Sequence, residues 1–270
     1  MAKTEATLTL IGGPTLLIDL MGFRLLTDPT FDPPGLYQGA VVLEKTVGPA
    51  LGPHALVDVD AVLLSHDQHF DNLDRAGRAF LERVGATFTT RAGAGRLNGN
   101  ARGLAPFETA PLEAPGRAGL TITATPARHG PPGIEPISGD VVGFLIGRDE
   151  PGDAVYVTGD TVWFGGVAEV ARRYRPKLVV AFAGSAEPRG PFHLTMDTND
   201  VIETAHAFPE AAIVAIHNHG WAHFKEGPAD LERAFAALSL EDRLLSLEPG
   251  RATSIALPAN RAPPIVSSPA

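Results

Sequence analysis

The sequence predicts a single layered α/β domain, and three observations carry that prediction. Short β-type runs alternate with segments of helical spacing through both halves of the chain. No linker separates the halves. Ligand-type side chains gather just past the ends of apolar runs.

Taken in order, residues 7–11, 15–19 and 23–27 are apolar or β-branched, divided by Gly12-Gly13-Pro14 and Gly22, and predict an antiparallel meander. Residues 29–56 are rich in Pro and Gly and read as a long loop of the kind that covers a site. The apolar run 61–64 predicts a buried strand, and Leu73, Ala76, Phe80, Leu81 and Val84 then recur at helical spacing. Gly93-Ala94-Gly95-Arg96-Leu97-Asn98 falls one residue short of a dinucleotide fingerprint, because Asn98 stands where glycine is needed, and reads as loop. Residues 105–118 are too short and too apolar to mark a domain boundary. Further strands are expected at 120–124, 141–146, 154–158, 178–182, 212–216, 243–247 and 253–257. Helices are expected at 167–174, 198–207 and 229–238, with Asp197 as an N-cap and Pro228 in a first turn. The domain is expected to span 1–261. The tail 262–270 carries three prolines and two serines and is expected to be disordered.

Composition narrows the function. A chain of 270 residues, 44% hydrophobic and 20% charged, can bury a full core. A net charge of −9 without a basic cluster argues against nucleic acid or an anionic membrane as partner. With no cysteine, disulfides, thiolate metal sites and cysteine nucleophiles are excluded. No apolar run reaches membrane-spanning length, and Met1-Ala2-Lys3-Thr4-Glu5 lacks a signal-peptide pattern, so the expected location is the cytoplasm.

The densest chemical signal is Ser65-His66-Asp67-Gln68-His69-Phe70-Asp71-Asn72-Leu73-Asp74, in which six of ten residues are His, Asp or Asn. Such groups at the end of a buried strand are costly without partners, and a divalent metal is the simplest shared partner. Three more strand ends carry the same chemistry: His129 after 120–124, Gly159-Asp160-Thr161 after 154–158, and His217, His219 and His223 after 212–216. Singly each has a bland reading, as surface histidine or helix cap. Together they predict a metal site along one sheet edge.

In this order the chain resembles the metallo-β-lactamase-fold superfamily over roughly residues 7–257. More narrowly, Gly-Gly-Pro-Thr at 12–15, Leu-Leu-Thr-Asp-Pro at 25–29 and Tyr-Val-Thr-Gly-Asp-Thr at 156–161 resemble the branch that includes L-ascorbate-6-phosphate lactonase and N-acylphosphatidylethanolamine-hydrolysing phospholipase D. The resemblance implies an αββα four-layer sandwich and metal-dependent hydrolysis of an ester, lactone, amide or phosphodiester. The superfamily signature His-x-His-x-Asp-His is altered here. If His66 is the first ligand in strict frame, the second position holds Gln68. If Asp71-Asn72 sets the frame, the first position becomes Asp67 and the second His69. A mixed frame with one inserted residue is favoured, keeping His66, His69, Asp71 and Asn72. In every frame Asn72 stands in for an imidazole, which weakens the second metal position.

The expected metal ligands are therefore His66, His69, Asp71, Asn72, His129, Asp160 and His217. Asp71 and Asp160 are the expected catalytic carboxylates, acting on metal-activated water. One tight divalent ion is expected, zinc with manganese and iron as alternatives. Asp67 is a ligand, a partner orienting a histidine, or a turn residue; Asp28 is expected to support the site. His193, His219, His223 and Trp221 are candidates to bind a small-molecule substrate. Other functions on the same residues are a catalytically degenerate binding or regulatory module and a mononuclear iron oxygenase.

Overall fold

The structure is a computed structural model, and it describes residues 4–258. In chain order the strands of the first half are β1 (Thr4–Gly12), β2 (Thr15–Leu20), β3 (Phe23–Thr27), β4 (Gly35–Gln38), β5 (Val42–Lys45), β6 (Ala61–Leu63), β7 (Ala86–Thr90) and β8 (Ala101–Leu104). The second half supplies β9 (Thr109–Leu112), β10 (Leu120–Pro126), β11 (Val142–Gly147), β12 (Val155–Val157), β13 (Leu178–Phe182), β14 (Ala212–Ile216), β15 (Leu244–Leu245) and β16 (Ala252–Leu257). The helices are α1 (Arg75–Phe80), α2 (Arg91–Leu97), α3 (Glu135–Ser138), α4 (Gly165–Arg173), α5 (Thr198–Ala207) and α6 (Pro228–Ala237). Among the described residues no helix is long and apolar enough to cross a membrane.

Strand alternation decides the layering. Leu16, Ile18, Leu20 and Leu25 join Phe144, Val155, Val157, Val180 and Phe182 in one core between two sheets. Their neighbours Leu17 and Leu26 face the other way, towards Leu73, Phe80, Leu81 and Val84. On the far side, Tyr156, Val179, Ala181 and Ile213 pack against Val167 and Val170 of α4, Val201 and Ala205 of α5, and Leu231 and Phe235 of α6. A strand buried on both faces needs apolar side chains at every position, which is why these runs are continuous rather than alternating. The result is the four-layer αββα sandwich.

The two seven-stranded sheets share one plan. The first runs β16-β1-β2-β3-β6-β7-β8 and the second β15-β14-β13-β12-β11-β10-β9. The meander β1-β2-β3 is antiparallel, whereas β3-β6-β7-β8 is parallel. Likewise β9 to β12 are antiparallel, and β12-β13-β14-β15 parallel. The carboxyl ends of β3, β6, β10, β12 and β14 carry Asp28, His66, His129, Asp160 and His217. Open α/β sheets bind ligands at such ends.

Several sequence expectations require correction. Residues 29–56 are not one loop: β4 and β5 form an antiparallel hairpin, and Pro53–Ala55 is a 3-10 turn. Segment 73–84 holds only the six-residue α1 and a 3-10 turn at Leu81–Arg83. Residues 91–97 are helix α2, capped by the Thr90 hydroxyl, which accepts from the Gly93 amide at 2.9 Å; their two glycines lower helix propensity and hid it. The strands β7, β8 and β9 and helix α3 were not anticipated. The span 243–247 contributes only Leu244–Leu245 as strand, after a 3-10 turn. Helix α5 lies where expected, with the Asp197 carboxylate accepting from the Asp200 amide at 2.9 Å, and Pro228 opens α6. The tail 262–270 lies outside the described residues.

One carboxylate ties hairpin to helix. Asp74 caps α1 by accepting from the Gly77 amide at 2.8 Å, and its other oxygen receives the Asp32 amide at 2.7 Å and the Lys45 ammonium at 3.3 Å. Lys45 ends β5, is 4% exposed, and its Nζ lies 5.5 Å from the Trp221 ring centre. Removing only the lysine would strand a buried carboxylate. Lys45→Met is therefore expected to cost about 3–5 kcal/mol, and Asp74→Asn in the same chain to recover much of it. Denaturant unfolding of the four variants checks this.

A Cβ on Gly77 would lie 1.8 Å from the Pro29 carbonyl oxygen. Glycine to alanine within a helix ordinarily stabilises by about 1 kcal/mol. Here the sign reverses: Gly77→Ala is expected to destabilise by about 1–3 kcal/mol, read as a lower Tm.

Candidate metal centre

The inserted residue in 66–72 resolves into geometry. His66 leaves β6, and the turn that follows brings His69 back beside it, with His66 Nε2 2.8 Å from His69 Nδ1. His129 Nε2 lies 3.2 Å from the same His69 nitrogen. The other two residues of the turn do not join these nitrogens. Asp67 is held by Arg96, at 2.5 Å, and Arg78, and Gln68 is exposed. The three converging nitrogens belong to His66, His69 and His129, the set of the mixed frame, whereas each strict frame includes Asp67 or Gln68. Asp67 is a structural anchor.

Hydrogen bonds assign the tautomers. Asp28 Oδ1 accepts from the Ser65 hydroxyl and amide, each at 2.8 Å, and the Ser65 oxygen lies 2.9 Å from His66 Nδ1. With the Ser65 proton directed to Asp28, His66 Nδ1–H donates to Ser65 and Nε2 keeps a lone pair. His129 Nδ1–H donates to the Leu194 carbonyl at 2.8 Å, which leaves its Nε2 a lone pair too. At most one proton, on His69 Nδ1, is then available among three converging nitrogens. Burial, then His69, pushes the His66 imidazole well below its usual range, and burial, then His129, takes His69 down to about 4. Neutral imidazoles facing one another in a dry site form a cation-binding arrangement.

A second triad adjoins the first. Asp71, Asp160 and His217 also place one donor atom each within 4.8 Å of one another, as His66, His69 and His129 do. Asp160 spans both sets: Oδ2 is 3.5 Å from His129 Nε2 and Oδ1 is 3.4 Å from His217 Nε2. His217 Nε2 is 3.6 Å from Asp71 Oδ2. Burial raises the Asp160 carboxyl, but the neighbouring imidazoles, His217 foremost, outweigh it and hold it well below the carboxylate range. Asp71 is held low against burial by His223 and His217. Burial lowers His217, and Asp160 and Asp71 overcome it to raise its pKa.

The donor set fits a metal by its own accounting. Asp71 Oδ1, Asp160 Oδ1, both His217 nitrogens and both amide atoms of Asn72 are buried without a hydrogen-bond partner. Native proteins rarely leave so many polar atoms unpaired in one place, and a shared cation satisfies several at once. Three imidazoles with one carboxylate suit zinc or iron.

Backbone strain serves the same end. His217 has φ +55° and Asp28 φ +26°, in the left-handed region that side chains seldom adopt. Gly159 has φ +62°, and a Cβ there would lie 2.6 Å from the Val142 carbonyl and 2.9 Å from Ser65 Cβ. Only glycine lets the turn before Asp160 pass so close to the turn that carries His66.

A cavity opens over these residues, lined by Gly39, Ala40, Val41 and Leu43 of the hairpin, by Gln68, His69, Phe70, Asp71, His129 and His223, and by Ala186, Pro188, Arg189 and Leu194. The hairpin and segment 217–224 form its roof together: the Thr46 amide donates to Gly220, and Ala222 to Glu44. Of the four residues expected at substrate, only His223 lines this cavity. His193 faces Asp200 and Asp197 at 3.3 and 3.8 Å, and their carboxylates raise its pKa. His219 is exposed and lines a separate cavity with Glu232 and Pro228. Trp221 is 4% exposed and packs under the hairpin against Tyr37. Arg189 went unnoticed, since Glu187-Pro188-Arg189-Gly190 carries no motif; only the fold brings it to the cavity.

Comparison with known proteins agrees with this architecture. Residues 23–218 match the family model described as the beta-lactamase superfamily domain. The chain is 23% identical over 252 residues to the UPF0173 protein YddR of Bacillus subtilis (strain 168), covering 90% of this chain and 97% of that protein. Among solved structures it is similar to the isothiocyanate hydrolase from Delia radicum gut bacteria, with TM-score 0.78 and 25% identity over 93% of this chain and 99% of that one. A possible metal-dependent hydrolase from Veillonella parvula DSM 2008 gives TM-score 0.80 at 23% identity, with the same coverage. With the family model spanning most of its length and both sheets in place, the chain belongs to the beta-lactamase superfamily domain family.

Proposed function

We propose that the protein is a metal-dependent hydrolase, using water to cleave an ester, lactone, amide or phosphodiester bond of a small molecule in the cytoplasm. The observation that carries this reading is the pair of buried triads joined by Asp160. The likeness to an isothiocyanate hydrolase supports hydrolytic attack on an electrophilic centre. His66, His69 and His129 with Asp160 would hold one divalent ion, zinc in preference to manganese or iron. Asp71, Asp160 and His217, with Asn72 alongside, would hold a second. When bound, such an ion acidifies water and draws charge from the scissile group.

The chain's own residues do the rest. Asp28 and Ser65 fix the His66 ring, and Leu194 fixes His129. Asp71 lies on the cavity wall with Oδ1 unpartnered, so that oxygen can take a proton from the attacking water. The hairpin residues Gly39, Ala40 and Val41 limit bulk solvent above the site. Arg189 forms no ion pair among the described residues, although its charge is felt at His69. An unpaired guanidinium beside Ala186, Pro188 and Leu194 favours a substrate carrying a carboxylate or phosphate.

Elemental analysis of protein purified without added metal tests the proposal. Zinc or manganese is expected, together with chelator-sensitive hydrolysis of a substrate panel. Iron with oxygen consumption would replace this reading with an oxygenase, and no metal after reconstitution with a binding or regulatory module.

Two variants probe the parts. Ser65→Ala removes the group that orients His66, so the first ion's affinity, measured calorimetrically, is expected to fall about 10–100-fold. Arg189→Ala is expected to raise KM about 10-fold or more for anionic substrates, and to leave neutral analogues nearly unchanged.

A further inference from the structure

Asn72 occupies the place of an imidazole in the superfamily signature, yet the structure offers the second triad another one. His223 Nε2 lies 3.0 Å from Asp71 Oδ2, the oxygen that also faces His217. We propose that His223 is a ligand of the second metal position, supplying the imidazole that Asn72 lacks. This inference rests on the metal-dependent reading above.

Spacing is the first argument. Two donors bonded to one ion at about 2.1 Å in tetrahedral array lie about 3.4 Å apart. The donor pairs here are His217–Asp160 at 3.4 Å, His217–Asp71 at 3.6 Å and His223–Asp71 at 3.0 Å. His223 thus extends a chain of donors through Asp71, and of the two histidines that follow His217 it is the one that reaches the site. His219, two residues past His217, is exposed.

The backbone holds the ring there. Its own carbonyl accepts from the Glu187 amide at 3.0 Å, and the preceding Ala222 amide is bonded to Glu44 of the hairpin. The Phe224 ring packs against both histidines, with centroids 4.8 Å from His217 and 4.6 Å from His223. One aromatic side chain therefore sets the two imidazoles relative to each other. His223 Nδ1, like the His217 nitrogens, is buried without a hydrogen-bond partner.

Chemistry gives the second argument. Asn72 is fully buried, and neither its amide oxygen nor its nitrogen finds a hydrogen bond. A neutral amide oxygen is a weak donor to zinc beside imidazole. With His223 swung from Asp71 towards His217, the second position would have two imidazoles and two carboxylates without Asn72; as placed, only Asp71, Asp160 and His217 have donors all within 4.8 Å of one another.

The rival role for His223 is to donate a hydrogen bond that orients Asp71. Glutamine separates the two, because its amide N–H can still donate to Asp71 but it binds zinc poorly. Calorimetric titration of metal-stripped full-length protein with zinc is therefore run on the unmodified chain, His223→Gln, His223→Ala and Asn72→Ala. The unmodified protein is expected to take up two ions. Both His223 variants are expected to weaken the second at least 10-fold, with the first within about 2-fold, and Asn72→Ala to leave both bound. Cobalt spectra should show the loss of one nitrogen donor in His223→Gln, a signature independent of activity. Circular dichroism identifies any variant that fails to fold, and the glutamine variant preserves the ring's approximate volume. Full second-ion affinity in His223→Gln overturns the inference, as does loss of the second ion in Asn72→Ala. Uptake of a single ion, unaffected by His223→Gln, overturns this inference and leaves the hydrolase reading standing. No uptake at all overturns both.

Discussion

The constraint that organises this molecule is the burial of acceptor atoms that face one another. His66, His69 and His129 direct nitrogens to one point, and Asp71, Asp160 and His217 converge beside them, in a place where water supplies little compensation. Such a cluster offers more lone pairs than the protein's own protons satisfy, and a cation would satisfy several at once. Much of the surrounding structure makes sense as what holds these atoms close. Gly159 allows two turns to touch, Asp28 and Ser65 keep one ring from rotating, and strained φ angles at Asp28 and His217 are sustained by the sheets beneath.

Those sheets follow from a plain alternation. Both begin antiparallel and continue parallel, so several strands end at the same edge with their last residues exposed to a common space. A parallel strand must be followed by a crossover, and the crossover begins where the strand stops. The polar turns after β6, β12 and β14 are therefore gathered by topology, although some 150 residues separate His66 from His217 in the chain.

How much of this was legible depended on which signal each residue carried. Runs such as 178–182 and 212–216 declare buried parallel strands by unbroken apolarity, and their bounds match the structure. The candidate cluster was legible because His and Asp after such runs have few other uses, and the fold brings most of them together. Strand β7 escaped because Ala86-Thr87-Phe88-Thr89-Thr90 looks half-polar, yet all five residues are buried. Helix α2 escaped because its glycines hide it, and the hairpin because Gly and Pro also mark loops. Among the site residues, His219 and His223 were equivalent in sequence. What separates them is the path of the backbone after His217, with Gly220 at φ +90° turning the chain so that only the later histidine reaches Asp71. No local pattern encodes that turn's direction.

The Asp74 carboxylate has a consequence for how molecules enter. It stabilises the start of α1 and, through Lys45, the end of the hairpin that covers the cavity. Roof and floor share an anchor, so lifting the hairpin would also fray the helix just behind the ligand-bearing turn. A flap that opens on each turnover is poorly served by such coupling. A hydrolase of the kind proposed would then admit its substrate past Pro188 and Arg189, on the part of the cavity wall that this anchor does not hold.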